Sequence, residues 1–197
     1  MKRFAGILAL VAATLLSGCS STLKSRDIDA ATGRFPTDTL LATDGVKTEK
    51  PFQAKYRELA YIKTDGNKNA EYNSFLTANF SKTKAFTKIV KKDELESLII
   101  ERKLTDKVSN ISDLIGLNQL QKQIGPFLII EPYVEWKGGY NFFGSIKAID
   151  PETGETVFLV EQTAFNWAGL DDPLFFPLFN AFLEWTKGEK IRTAPKK

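Results

Sequence analysis

The side chain with the most distinctive chemistry in this 197-residue sequence is its single cysteine, Cys19. Two basic residues, Lys2 and Arg3, precede a run of thirteen mostly apolar residues, 4–16. Cys19 ends the segment 16–19 (LSGC), which begins at the last residue of that run. A basic start, a short apolar run and small residues at its end are typical of a cleaved secretory signal, and thirteen residues are too few to span a bilayer as a helix. The sequence therefore predicts a signal peptide over 1–18.

The segment 16–19 resembles the lipobox of bacterial lipoproteins. This resemblance implies that the Cys19 sulfur carries a diacylglycerol, that the chain is cut just before Cys19, and that the new amino group carries an acyl chain. Ser20 stands where an aspartate would favour inner-membrane retention in enteric bacteria, so it predicts sorting to the outer membrane, on the periplasmic side. The alternative is an ordinary secretory signal with a chance cysteine.

Catalytic chemistry has few candidate residues, because the sequence contains no histidine. Histidine is the commonest general base, the partner of nucleophilic serine and cysteine, and a ligand in most zinc sites. Glu94 and Glu96 are two apart on a predicted helix and point to different faces, whereas Asp171 and Asp172 suit a helix cap. We therefore predict no enzyme, no metal site and no cofactor apart from the covalent lipid on Cys19.

The charge balance argues against a nucleic-acid partner. The sequence has 27 basic and 24 acidic residues, and two of the basic ones lie in the predicted signal. The remaining chain is nearly neutral, whereas nucleic-acid binding needs a concentrated positive surface. The expected partners are the membrane, through the lipid anchor, and an envelope protein or a second copy of the chain.

The composition changes along the chain and predicts its organisation. Residues 20–50 are rich in polar residues and lack periodicity, which favours a flexible tether with an end-to-end distance of roughly 30 Å; Leu40 and Leu41 are the one pair that could dock locally. The predicted units are the signal peptide, the lipidated cysteine with its tether (19–50), one α+β domain (51–190) and a basic tail (191–197).

Hydrophobic patterns within the domain predict the order β-α-β-α-α-β-β-β-α. The clearest part is an antiparallel three-strand meander over 127–166, with turns at Gly138-Gly139 and at 151–154. Pro132 lacks an amide donor, so its strand is expected to lie at an edge or to bulge there. The last helix begins either with Asp172 as its cap and Pro173 as its first residue or, after a short turn, at Pro177, and it ends at Gly188. The predicted fold is α+β, a mixed sheet with helices packed mainly on one face.

Several of these segments together resemble a known family. They are DELESLIIERKL at 93–104, a Ser/Asp-capped helix with Ser112 as its predicted cap, GPFLII at 125–130, the Gly-Gly hairpin, and AIDPETGE at 148–155. The sequence is similar in these respects to the CsgG/LpoB-type envelope lipoproteins. The resemblance implies an anticodon-binding-like α+β domain, lipid anchoring at the outer membrane, and work done by binding proteins. Members of that family form a ring-shaped secretion channel or activate a peptidoglycan synthase.

Aromatic residues are the expected interaction surface. They crowd the meander and the last helix, and strand alternation places them on both faces of the sheet, which one small layer of helices cannot cover. Core packing accounts for most of them, and the surplus predicts an exposed patch for a partner protein, for self-association or for the bilayer surface. The candidates are Trp136, Phe142, Phe143, Phe175, Phe176, Phe179 and Trp185.

These observations leave three functions open. The leading prediction is a non-enzymatic protein-binding or assembly module of the cell envelope, anchored at the outer membrane. The alternative is a homo-oligomeric structural or secretion-related component, a ring or a stack. The third is an activator of a peptidoglycan synthase, which rests on the family resemblance alone.

Overall fold

A computed structural model describes residues 23–167 and 169–195. Cys19, Ser20 and the predicted signal peptide lie outside these residues, so the lipid anchor and its sorting remain predictions from the sequence. Within the described ranges, no helix combines the length and the hydrophobicity needed to cross a membrane.

The domain contains six strands and four helices among the described residues. In chain order they are β1 (Val46–Glu49), β2 (Leu59–Ile62), α1 (Ala70–Lys82), β3 (Lys88–Val90), α2 (Lys92–Glu101), α3 (Leu114–Ile124), β4 (Leu128–Trp136), β5 (Asn141–Ile149), β6 (Thr156–Phe165) and α4 (Phe176–Lys187). A single π-helical turn, Asp171–Phe175, leads into α4. The order from β2 onward follows the predicted one, and β1 is an additional strand.

The strands form one open, mixed sheet in the order β1-β6-β5-β4-β2-β3. The pairs β1–β6, β6–β5 and β5–β4 are antiparallel, and β2 pairs in parallel with both β4 and β3. The α+β fold and the C-terminal meander are therefore confirmed. Pro132 lies beyond Ile130, the last residue of β4 that pairs with β2, so β4 has no strand partner on this side at Pro132, as expected. The Asn67 side chain instead donates a hydrogen bond to the Pro132 carbonyl oxygen at 2.8 Å.

Two hydrophobic cores lie on opposite faces of the sheet. The larger core is under α1 and α4, and the smaller core, under α2 and α3, covers the β2–β3 end of the other face. The sequence predicts helices mainly on one face, and α2 and α3 cover part of the second face as well. The reason is that consecutive residues of β2 and of β4 are apolar, so that Ala60 faces the larger core and Tyr61 the smaller one.

Local signals place most helix ends. The side chain of Asp113 accepts a hydrogen bond from the Gly116 amide at 2.8 Å and caps α3, one residue after the predicted cap at Ser112. Pro177 lies in the first turn of α4, where its missing amide hydrogen costs nothing. Gly188 ends that helix with a φ of 70°, the left-handed conformation that glycine adopts most readily.

The predicted flexible tether up to residue 50 is wrong for the described residues from Phe35 onward. Phe35 and Leu41 are each 1% exposed in the larger core, and β1 pairs with β6. The Phe35 ring stacks on Phe176 at 5.3 Å, and its backbone exchanges two hydrogen bonds with the Asn180 side chain. These contacts join residues about 140 positions apart, which the local composition of the segment cannot reveal. We call residues 23–45 the N-terminal segment.

The predicted basic tail also packs onto the domain as far as the structure describes it. Ile191 is buried, and Arg192 bonds to the buried carboxylate of Glu184 through its side chain at 2.7 Å and its backbone amide at 2.8 Å. Arg34 of the N-terminal segment bonds to the same carboxylate at 2.9 Å. One acidic side chain of α4 therefore ties both ends of the chain to the core, and the domain extends on both sides of the predicted range 51–190.

Asp150 is a second buried carboxylate that holds distant segments together. It accepts hydrogen bonds from the Tyr56 hydroxyl at 2.6 Å, from Lys55 at 3.2 Å and from the Glu152 amide at 2.8 Å. Burial raises the pKa of Asp150, but these donors, Tyr56 foremost, outweigh burial and hold the pKa below its ordinary value. The ionised form is therefore the one that stabilises the folded chain.

Replacing Asp150 by asparagine is expected to lower the free energy of unfolding by about 2 kcal/mol at pH 7. Because the folded pKa lies below the unfolded one, this stabilisation is present above the unfolded pKa of about 4 and is lost as the pH falls through the folded pKa. Urea unfolding at pH 7 and pH 3 should therefore show a smaller difference between wild type and variant at pH 3. The control is Asp106→Asn, at an exposed position; a difference that does not change with pH would contradict this account.

Candidate functional site

The four predicted interaction residues of the last helix and its preceding turn are core residues. Phe175, Phe176, Phe179 and Trp185 are each at most 2% exposed. Trp185, for example, stacks on Phe158 of β6 with ring centroids 4.5 Å apart. Helix α4 is apolar on nearly all sides because it is surrounded by the sheet, by α1 and by the N-terminal segment. The prediction that these four residues bind a partner is therefore wrong.

The three candidates in the meander are more exposed. Trp136 is 64% exposed, and Phe142 and Phe143 are half-buried. Strand alternation separates the last two, as predicted: Phe142 packs against the larger core, and Phe143 lies on the opposite face of β5. Trp136 and Phe143 are thus the candidates that a partner can reach, and they belong to two different surfaces.

The first surface is a group of aromatic rings at one end of the sheet, which we call the tip cluster. It consists of Trp136, Tyr140, Phe165 and Trp167, with exposed fractions of 64, 58, 53 and 81%. The rings of Tyr140, Phe165 and Trp167 lie within 5.6 to 6.3 Å of one another. All four rings are exposed and three of them are mutually close, which is unusual on a protein surface.

The hairpin between β4 and β5 presents two members of the tip cluster. Gly138 and Gly139 adopt φ values of 98° and 58°, so the predicted Gly-Gly turn is present. The Trp136 indole nitrogen donates to the Gly139 carbonyl at 2.8 Å, which fixes the ring against the turn. Sequence reasoning missed Tyr140, Phe165 and Trp167 as surface residues. Tyr140 directly precedes β5, Phe165 is the last residue of β6, and Trp167 follows two positions later. Such positions at strand ends were the available signal of exposure.

The second surface is the part of the sheet that α2 and α3 leave uncovered, which we call the open face. Its cross-strand rows are Glu131–Lys147–Leu159, Tyr133–Ser145–Glu161 and Glu135–Phe143–Thr163. The rings of Tyr133 and Phe143 are 6.4 Å apart, and Lys137 lies over the Phe143 ring at 5.5 Å. A hollow of about 470 Å³ opens beside Tyr133 and Leu159.

Paired charges surround the apolar residues of the open face. Glu131 forms ion pairs with Lys147 and with Lys63, the latter at 3.3 Å. Burial raises the pKa of Glu131, but the two lysines, Lys147 foremost, lower this pKa by more than burial raises it. The net shift of the pKa is therefore downward. The open face therefore combines half-buried rings with fixed charges, which is the composition of a protein-contacting surface rather than of a core.

A cleft of about 820 Å³ lies between the tip cluster and the N-terminal segment. Its lining residues include Phe165 and Trp167 of the tip cluster and Lys24 and Arg26 of the N-terminal segment. Arg26 also approaches Asp171, with a closest N–O distance of 4.0 Å. The first described residues of the chain therefore emerge directly beside the tip cluster.

The buried carboxylates do not form an acidic pair for catalysis. Asp150, Asp171 and Glu184 are each at most 4% exposed, and each lies beside its own cation or cations, from different parts of the chain. This is the arrangement of structural ion pairs. Among the described residues, no group of three or more acidic side chains is placed to hold a metal ion.

Comparison with known proteins gives structural likenesses only. No protein-family model matches the sequence, and no curated protein matches it. A solved dodecamer of PelC from Paraburkholderia phytofirmans overlaps 74% of this chain and 97% of its own, with 12% identity and a TM-score of 0.42. The C-terminal domain of LpoB from Salmonella enterica overlaps 59% of this chain and 88% of its own, with 14% identity and a TM-score of 0.37.

Proposed function

We propose that this chain is an outer-membrane-anchored periplasmic lipoprotein that acts as a non-enzymatic protein-binding or assembly module of the cell envelope. The lipobox-like segment supports the anchor on Cys19, and Ser20 supports its sorting to the outer membrane. The single observation that carries the binding role is the open face, three strands wide, which no helix covers among the residues described.

The open face suits a protein partner for two physical reasons. Tyr133, Phe143 and Leu159 offer apolar area that a partner can remove from water, at roughly 25 cal/mol per Å². The ion pair of Glu131 and Lys147 holds their charged groups in place, so that little side-chain freedom is lost on binding. Aromatic residues with a charged rim are typical of protein interfaces.

A photo-crosslinking amino acid at Phe143 is expected to form an adduct with a distinct envelope protein in living cells. The same probe at Lys107, an exposed residue remote from the open face in sequence, is the control and should give no such adduct. Mass spectrometry of the adducts then identifies the partner. Adducts of the chain with itself would favour the ring or stack instead, and an adduct with a peptidoglycan synthase would favour the activator role.

The substitution Phe143→Ser supplies the matched functional test. The side chain is half-buried and faces away from the larger core, so folding is expected to change little, by less than about 1 kcal/mol. We expect loss of the adduct formed by a second probe at Tyr133, whose ring lies beside Phe143. An unchanged adduct, or the absence of any protein adduct from both positions in the wild type, would contradict the proposed binding surface.

A further inference from the structure

We propose that the tip cluster rests on the lipid surface of the membrane that carries the anchor, with its rings in the headgroup region. The inference rests on the proposed lipidation of Cys19 and assigns the tip cluster to lipid, which leaves the open face for protein. Its occupant is the bilayer interface, and three features of the chain support this choice.

The first feature is the short distance from the anchor. Cys19 precedes Leu23 by four residues, and four extended residues span at most about 14 Å. Leu23 packs against the larger core, and Lys24 and Arg26 line the same cleft as Trp167 and Phe165. The lipid on Cys19 therefore holds this side of the domain against the bilayer, and the tip cluster lies on that side.

The second feature is the chemistry of the rings. Tryptophan and tyrosine concentrate at membrane–water interfaces because an apolar ring and a polar group suit the headgroup region. Three of the four tip residues are of these two types: Trp136, Tyr140 and Trp167. Their hairpin and strand ends project from the sheet, which allows the rings to enter the interface without unfolding the strands.

The third feature is the charge around the rings. Lys24 and Arg26 are exposed on the N-terminal segment, and Lys137 is exposed beside Trp136 in the hairpin. Arg26 lies 4.0 Å from Asp171 and Lys137 pairs with Glu135 at 2.7 Å, and both cations are still exposed to solvent. Basic side chains next to interfacial rings attract the phosphates of anionic lipids. Shallow insertion into lipid needs only a small apolar patch of this kind.

Tryptophan quenching by brominated lipid tests this placement. The mature lipidated chain is reconstituted into vesicles of phosphatidylethanolamine and phosphatidylglycerol, with or without a phospholipid brominated near the top of its acyl chains. The chain has three tryptophans, and Trp185 is buried, so Trp136 and Trp167 are expected to be quenched and Trp185 is not. The variant Trp136→Phe/Trp167→Phe, which retains only Trp185, should lose most of the quenching.

A second measurement separates the tip cluster from the anchor. The full chain made without lipid by Cys19→Ser is expected to sediment with the same vesicles, and adding Tyr140→Ser and Trp167→Ser should weaken this binding about tenfold or more. Ile100→Ser/Ile115→Ser removes two equally exposed apolar side chains on α2 and α3 and should leave it unchanged.

The outcomes distinguish this inference from the proposed function. The mass of the mature N-terminal fragment reports the lipid anchor on Cys19, and quenching reports the tip cluster. A chain that carries the lipid but is not quenched by brominated lipid overturns the inference and leaves the anchor standing. A chain without the lipid refutes the anchor, and vesicle binding of the Cys19→Ser chain then decides the tip cluster: equal binding of the tip and control variants would overturn the inference.

Discussion

Replacing Trp185 by alanine is expected to lower the free energy of unfolding by about 4 kcal/mol, the largest effect of any substitution considered for this chain. The ring is 2% exposed, stacks on Phe158 at 4.5 Å, and meets Phe52 edge-to-face at 5.0 Å. Its indole nitrogen also donates to the Lys50 carbonyl oxygen at 2.7 Å. The substitution therefore opens a cavity in the larger core and leaves a carbonyl oxygen without its donor.

Urea unfolding followed by circular dichroism measures this change. The matched control is Trp167→Ala, because it deletes the same side chain at a position that is 81% exposed, and we expect a change within about 0.5 kcal/mol. The comparison also separates the two roles that the sequence left open for Trp185. Had this residue been part of a binding surface, its removal would weaken binding and leave stability nearly unchanged, and such a result would contradict the fold described above.

The elements that sequence reasoning placed correctly are those with local signals. The meander followed from two turns, Gly138-Gly139 and 151–154, between segments of strand-like composition. The end of α4 followed from Gly188, and its start from Pro177. In each case a few neighbouring residues determine the backbone conformation, so no knowledge of distant contacts is required.

The elements that it missed depend on contacts between distant parts of the chain. β1 is four residues long, and within the part of the chain that the structure describes its one strand partner is β6, more than 100 positions later. Phe35 stands among polar residues, and its ring finds its place only when α4 is folded. Composition described the segment as a tether because composition counts apolar residues and does not show what they contact.

The sequence predicted correctly that some aromatic residues are exposed, but it identified only some of the residues that are. The sequence predicted that more aromatic residues were present than one helix layer could cover, and the exposed rings of the tip cluster bear this out. It placed four of its seven candidates in α4 and the turn before it, however, where the apolar residues surround the helix rather than form one stripe. That all-round pattern is the mark of a buried helix and was the signal that could have excluded Phe175, Phe176 and Phe179.

Replacing Phe35 by alanine is expected to lower the free energy of unfolding by about 3 kcal/mol and to loosen the N-terminal segment first. The ring packs against Phe176 at 5.3 Å and Phe179 at 5.4 Å, and no other residue of 23–38 is as deeply buried. Loosening exposes the peptide bonds after Arg26 and Arg34 to trypsin. We therefore expect faster cleavage at these two sites under native conditions, measured by mass spectrometry of the fragments.

The control for Phe35 is Leu40→Ala, which shortens a side chain of the same segment that is 37% exposed and should leave the cleavage rate unchanged. Equal cleavage of the two variants would mean that Phe35 does not hold the segment. The substitution also tests the proposed membrane contact, because in that proposal the packed segment keeps the anchor on Cys19 next to the tip cluster. A loosened segment of 23–45 lengthens the connection, so quenching of Trp167 by brominated lipid should fall in Phe35→Ala while the lipidated chain remains bound to the vesicles.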